Sequence, residues 1–190
     1  MKIALFGDSF GVQKVDEQFN SWVTMLSQHF EIYNYSECGI SQYKILKSIQ
    51  RTNLSTYDKV LITHTSPGRV YVNVNPLHLV TRYHKNCDII YSDIEKNSDD
   101  FSKACQMYFK YIFDFDHAMD MHNLICKEID FLLANKSTIH ITHFDYDNLY
   151  MFKDLINFYP LWLKNKGEVN HYNQAGNSQI FQVLLDQLRK

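Results

Sequence analysis

Hydrophobic positions along the chain change their period several times, and each change predicts an element. Ile3 to Phe6 is an unbroken apolar run closed by Gly7, the pattern of a strand buried on both faces of a parallel sheet. Trp22, Met25, Leu26 and Phe30 then recur at helical spacing, and Phe30 to Tyr35 resumes an extended pattern that stops before Cys38-Gly39. Ile45, Leu46 and Ile49 mark a second helix, and Lys59 to Thr63 a third strand read through Val60, Leu61 and Ile62. Between Thr65 and about Asn97 no period is sustained and turn formers mix with aromatics, which predicts a long excursion at one rim of the sheet. From about Asp99 to Ala134, Phe101, Cys105, Tyr108, Ile112 and Phe115, followed by Ile129, Leu132 and Leu133, predict one long helix or two joined ones, capped by Ser98 or Asp99. Thr138 to Thr142 is a fourth strand with Ile139 and Ile141 on one face, and Ile180 to Leu188 belongs to a C-terminal helix.

Strands alternating with helices predict a three-layer α/β/α sandwich with a mostly parallel central sheet and right-handed crossovers. Ligands collect at the carboxyl ends of such strands. Ser9, Gly39, Thr65 and His143, which follow the four strands, are therefore expected at one rim. A chain of 190 residues fits one domain spanning 1–190, with a loop and helical excursion at about 65–135.

Composition narrows the function classes. With 45% hydrophobic and 21% charged residues the chain has material for a core and is neither collagen-like nor disordered. A net charge of -2 provides no broad electropositive field, so nucleic acid is not an expected partner. The opening apolar run ends at Gly7-Asp8, too short for a signal-peptide core or a membrane span, so a cytoplasmic protein is expected. Oligomeric state stays open. Cys38, Cys87, Cys105 and Cys126 form no CxxC pair and are expected as reduced, packed thiols.

Histidines 64, 78, 84, 117, 122, 140 and 143 raise a metal hypothesis. Strand alternation sets His140 and His143 on opposite faces, and no zinc-type carboxylate-histidine spacing appears, so no metal and no cofactor are expected. Asp114, Asp116, Asp120 and His117 read as a solvated helix face, and Tyr71 to His84 as either a lid or a wandering loop.

Gly7-Asp8-Ser9 follows the first strand directly, so the glycine permits a tight exit and the serine hydroxyl can stand at the open edge. A serine needs a base to become a nucleophile, and histidine has the suitable pKa. Glu168-Val169-Asn170-His171 supplies one, set just before Asn173, a good N-cap, and a helix containing Gly176.

Taken in order, these segments resemble the SGNH or GDSL hydrolase superfamily, over nearly the whole chain. The resemblance implies an SGNH-hydrolase or flavodoxin-like fold. It assigns Ser9 as nucleophile, His171 as base with Glu168 orienting it, and Gly39 in Cys38-Gly39-Ile40-Ser41 as an oxyanion donor through its amide. Glutamate at 168 stands where the family has aspartate. The third block departs further: where the family has Gly-x-Asn-Asp after a strand, this chain has Thr63-His64-Thr65-Ser66-Pro67-Gly68-Arg69. Thr65 or Ser66 hydroxyls are the replacement donors available there. Arg69 either binds an anionic part of the substrate, stabilises developing charge, or makes a salt bridge. Asp8 is read as stabilising its own turn.

The resemblance implies serine-dependent hydrolysis of a small acyl ester, with an O-acetylated carbohydrate as the favoured substrate class. Two alternatives stand beside it. One is O-acyl transfer to a glycan by the same serine and histidine, and the other is a catalytically impaired glycan-binding module, suggested by the missing asparagine.

Overall fold

In the computed structural model, which describes residues 1–13, 20–79, 84–167 and 171–190, five strands form one sheet. They are β1 (Lys2–Gly7), β2 (Glu31–Asn34), β3 (Lys59–His64), β4 (Thr138–Thr142) and β5 (Leu155–Asn157). Every pairing is parallel and the order is 2-1-3-4-5, the flavodoxin-like order of a doubly wound sheet. Gly7 registers with Thr63, His64 with Thr142, and Thr142 with Asn157, so the carboxyl ends of β1, β3, β4 and β5 line one rim.

The unbroken apolar runs are explained by burial on both faces. Ile3, Leu5, Leu61, Ile139 and Ile141 pack on one side against α1 (Trp22–Leu26) and α7 (Gln174–Leu188), through Trp22, Leu26, Ile180 and Leu184. Ala4, Phe6, Val60 and Ile62 pack on the other against α2 (Gln42–Arg51) and α5 (Phe115–Leu132), through Ile45, Ile49 and Ile129. The result is the expected three-layer α/β/α arrangement. Each fully buried Ile or Leu contributes about 1.5–3 kcal/mol relative to exposure, which makes these strands the rigid support of the rim.

The long helical stretch is two helices. Asp99 caps α4 (Asp100–Tyr111) by accepting from Ser102 N at 2.9 Å, and Asp114 caps α5 by accepting from His117 N at 3.0 Å. Asn173 caps α7 through Gly176 N at 2.9 Å, so that helix starts at Gln174, as expected from its N-cap and Gly176. Three elements were not foreseen, one of them α3 (Tyr91–Ile94) in the stretch read without a period. β5 has three residues and α6 (Tyr159–Lys164) six, with Pro160 in its first turn; neither is long enough to show a period.

The excursion after β3 has its own small core of Ile89, Ile94 and Cys105 beneath α3 (Tyr91–Ile94) and α4, and a bridge joins Val70 to Ile89. Among the described residues no helix is long and apolar enough to cross a membrane. All four cysteines are free and buried.

Candidate functional site

The site begins where β1 leaves the sheet. A Cβ on Gly7 would collide with Thr63 Oγ1, so only glycine lets the two strands end this close together. Asp8 follows, fully buried, and its Oδ1 accepts from Phe10 N at 3.1 Å, capping the single 3-10 turn Ser9–Gly11. Its Oδ2 lies 3.1 Å from Arg69 Nη2, and Arg69 Nη1 donates to Ile40 O at 3.1 Å. One guanidinium thus ties together the exits of β1 and β3 and the turn after Gly39. Burial raises the Asp8 pKa; the Arg69 charge is the largest opposing influence, followed by the Phe10 amide, His171 and the Thr65 side chain.

Ser9 is half-buried at the start of that turn, and His171 is half-buried two residues before the Asn173 cap. The Phe10 ring lies 5.3 Å from the His171 ring. Since His171 also acts electrostatically on Asp8, both chain neighbours of Ser9 interact with it. A bridge between Lys166 and Tyr172, with Gly167 N donating to His171 O at 2.7 Å, holds the histidine's backbone. Glu168 lies outside the described residues.

Gly39 has φ +72°, a left-handed conformation, and a Cβ there would sit 2.6 Å from Cys87 Cβ. Its carbonyl accepts from Asp88 N at 3.0 Å. The fully buried Asp88 carboxylate accepts from Ser41 N at 2.6 Å and Val72 N at 2.9 Å, and lies 2.7 Å from Lys44 Nζ. The excursion is therefore fastened to the Gly39 turn at a charged, hydrogen-bonded point.

Thr65 N donates to Gln42 Oε1 at 3.2 Å, and Gln42 Nε2 lies 2.8 Å from His64 Nδ1. An amide NH2 only donates, so His64 Nδ1 accepts and its Nε2 carries the proton, which it gives to His140 Nδ1 at 3.0 Å. Burial holds the His64 pKa well below its usual value and brings His140 down to about 4, so both rings are neutral and the chain has one direction. The Thr65 amide is thereby committed, while its buried side chain acts on the Asp8 carboxyl. Ser66 Oγ instead accepts from Gly68 N at 3.3 Å and lies 2.9 Å from Tyr146 Oη.

His143 lies on the other side of the sheet from His140: it stacks on Phe10 at 4.2 Å, whereas His140 stacks on Phe152 at 3.8 Å. Tyr172 Oη donates to Phe158 O at 3.1 Å, so His143 Nδ1 must be the donor in its 2.8 Å contact with Tyr172 Oη. Burial first, and the charge of His171 second, bring the His143 pKa down to about 3. Among the described residues no group of three or more His, Cys, Asp or Glu is placed to hold a metal ion.

Gln42, Asp88 and Tyr172 carry site geometry without a local sequence signal, because their partners are distant in the chain. Phe10 had one, its place directly after Ser9. No protein-family model matches the chain, and a search of curated proteins finds no match either. Chemically, a half-buried hydroxyl on a turn flanked by an imidazole suits general-base activation, and the left-handed Gly39 turn is the kind that aims backbone amides.

Proposed function

We propose that the chain is a serine-dependent hydrolase of small acyl esters, acting on O-acetylated carbohydrate through an acyl-enzyme on Ser9. The observation that carries this reading is the 5.3 Å approach of the His171 ring to that of Phe10, the residue after Ser9 in the turn that Ser9 opens. The resemblance to SGNH hydrolases points the same way. The four buried free thiols suit a reducing, cytoplasmic setting.

In this mechanism His171 takes the Ser9 proton as Oγ attacks the ester carbonyl, and the amides of Ser9 and Gly39 stabilise the oxyanion. Thr65 contributes its hydroxyl in place of the missing asparagine. It is preferred to Ser66, whose hydroxyl is engaged by Tyr146 and Gly68. His171 then protonates the leaving alcohol as the C–O bond breaks, and water resolves the acyl-enzyme by the reverse sequence. Asp8 adds negative charge near the imidazolium, Glu168 orients His171, and Arg69 acts as a positioning residue.

O-acyl transfer differs only in the final acceptor, a sugar hydroxyl in place of water. The commitment of the Thr65 amide and the Ser66 hydroxyl to other partners favours the binding-module alternative. Hydrolysis of acetylated methyl glucoside, followed by acetate release, tests the reading. Ser9→Ala and His171→Ala are each expected to lower kcat by about a million-fold, and Thr65→Val by about 100–1,000-fold. Turnover by Ser9→Ala at the parent rate would refute it, and acetyl appearing on an added glycan would reassign the acceptor.

A further inference from the structure

A cavity of about 780 Å³ lies between the loop after β3, the segment after β4 and the helices of the excursion. Pockets of about 300–1,000 Å³ hold ligands of drug size, so this one is far larger than a two-carbon acyl group requires. Arg69 and Phe144 join its wall to the residues on either side of Ser9, through Asp8 and Phe10. Ser66 and Arg69 line it, and Phe144 on its wall meets Phe10 edge-on at 5.9 Å.

Its walls are rings set at steep angles to one another. Phe109 and Phe113 lie 4.9 Å apart at 50°, Phe113 and Phe115 6.4 Å at 62°, and Phe115 and Tyr146 5.6 Å at 51°. The hydrogen bond between Ser66 and Tyr146 locks the end of this wall to the loop after β3. Ile90 is the only Val, Leu, Ile or Met among the lining residues described, while exposed Ser92, Glu95 and Lys110 ring the cavity's mouth. An alkyl chain is best served by a closed aliphatic tunnel. A pyranose instead lays its C–H faces on aromatic rings and offers hydroxyls to polar groups at the edge, which fits a cup of rings with a polar lip.

The geometry points to this cavity as the subsite for the sugar ring of the ester, the part that leaves as alcohol. The inference rests on the Ser9 reading for its place in the reaction, and on the cavity alone for binding. It explains why the excursion is fastened at Asp88: the wall that Tyr91 and Phe109 supply must keep a fixed distance from the Gly39 turn.

Two readouts on the full chain test it. Phe115 and Tyr91 are 40% and 46% exposed, so truncating either ring leaves the core intact. In Phe115→Ala and Tyr91→Ala, KM for acetylated methyl glucoside is expected to rise about tenfold, the worth of one good stacking contact. The ratio of its kcat/KM to that of ethyl acetate falls equally. In calorimetry on Ser9→Ala, methyl glucoside is expected to bind, and adding Phe115→Ala to weaken it about tenfold. Binding without Ser9-dependent turnover would keep the cavity and remove the esterase reading. Turnover that depends on Ser9 with no change of KM in either ring variant would overturn the cavity and keep the esterase. A kcat/KM for octyl acetate above that for the acetylated glucoside would also overturn it, by assigning the rings to a lipid chain.

Discussion

Replacing Arg69 by methionine keeps the apolar stem and removes the charge facing Asp8. The guanidinium and carboxylate are 3.1 Å apart with side chains 9% and 0% exposed, which at an effective dielectric of about 20 corresponds to about 5 kcal/mol of attraction. Desolvation offsets part of this in the parent, but removing one partner strands the other, and such losses run to about 3–5 kcal/mol. The Ile40 carbonyl also loses its donor. Asp8→Asn in the same chain removes the stranded charge while its side-chain oxygen still caps the turn, so the double variant is expected to recover about 2 kcal/mol or more. Urea unfolding of the four proteins at pH 7 gives the coupling energy directly. The pH dependence carries a second signature. Burial already raises the Asp8 pKa from 3.8, and loss of its main opposing charge raises it further. A raised native pKa means that the folded form holds the proton more tightly, so Arg69→Met regains stability as pH falls through that raised value, fully by 3.8. A loss below about 1 kcal/mol in Arg69→Met, or additive losses in the double variant, would refute the clamp.

The buried histidines make the opposite prediction for the parent chain. Burial brings His122 and His140 down to about 4 and His143 to about 3, against 6.5 when exposed. The unfolded chain therefore gains protons first, and stability present above 6.5 is lost as pH falls toward 4, at about 1.4 kcal/mol per pH unit for each ring. His64, held well below 6.5 by burial, adds a fourth ring, and Asp8 returns at most one proton's worth, so unfolding at pH 5 should take up about three protons net, and an uptake near zero by the slope of urea stability against pH would contradict the burial argument. Gly39→Ala combines a left-handed φ with contact on Cys87 Cβ and is expected to cost about 2–4 kcal/mol; thermal unfolding within about 1 kcal/mol of the parent would show that the turn tolerates a side chain. Tyr172→Phe leaves the His143 Nδ1 proton unpaired in the interior and removes one of the two donors to Phe158 O, the other being Trp162 N, with an expected loss of about 1–3 kcal/mol, and unchanged urea stability would mean that the hydroxyl bridges nothing of consequence.

What the sequence revealed follows from how local each signal is. Ile3 to Phe6 reports burial on both faces because β1 is central and both layers cover it, and Asn173 announces α7 because a cap and its helix are neighbours. β5, at three residues, has no room to show a pattern and is held by register with β4. The break in the long helical stretch was ambiguous because apolar residues continue through Ile112 and Phe113, while the cap at Asp114 decides it. In the site, Gly7, Ser9 and Gly39 were legible from their places after strands. The pairs that fix them were not: Asp8 and Arg69 are 61 positions apart, Ser41 and Asp88 47, and His64 and His140 76. A buried charge or a directional histidine chain leaves no periodic trace, since each member looks like an ordinary polar residue until its distant partner arrives.

The most direct test of the Ser9 assignment is covalent. Treated with a fluorophosphonate and examined by intact-protein mass spectrometry, the parent chain is expected to gain a single adduct, mapped by proteolysis to the peptide bearing Ser9. The adduct should be absent from Ser9→Ala and formed about 100-fold or more slowly in His171→Ala. An adduct that persists in Ser9→Ala, or labelling of His171→Ala at the parent rate, would contradict the account.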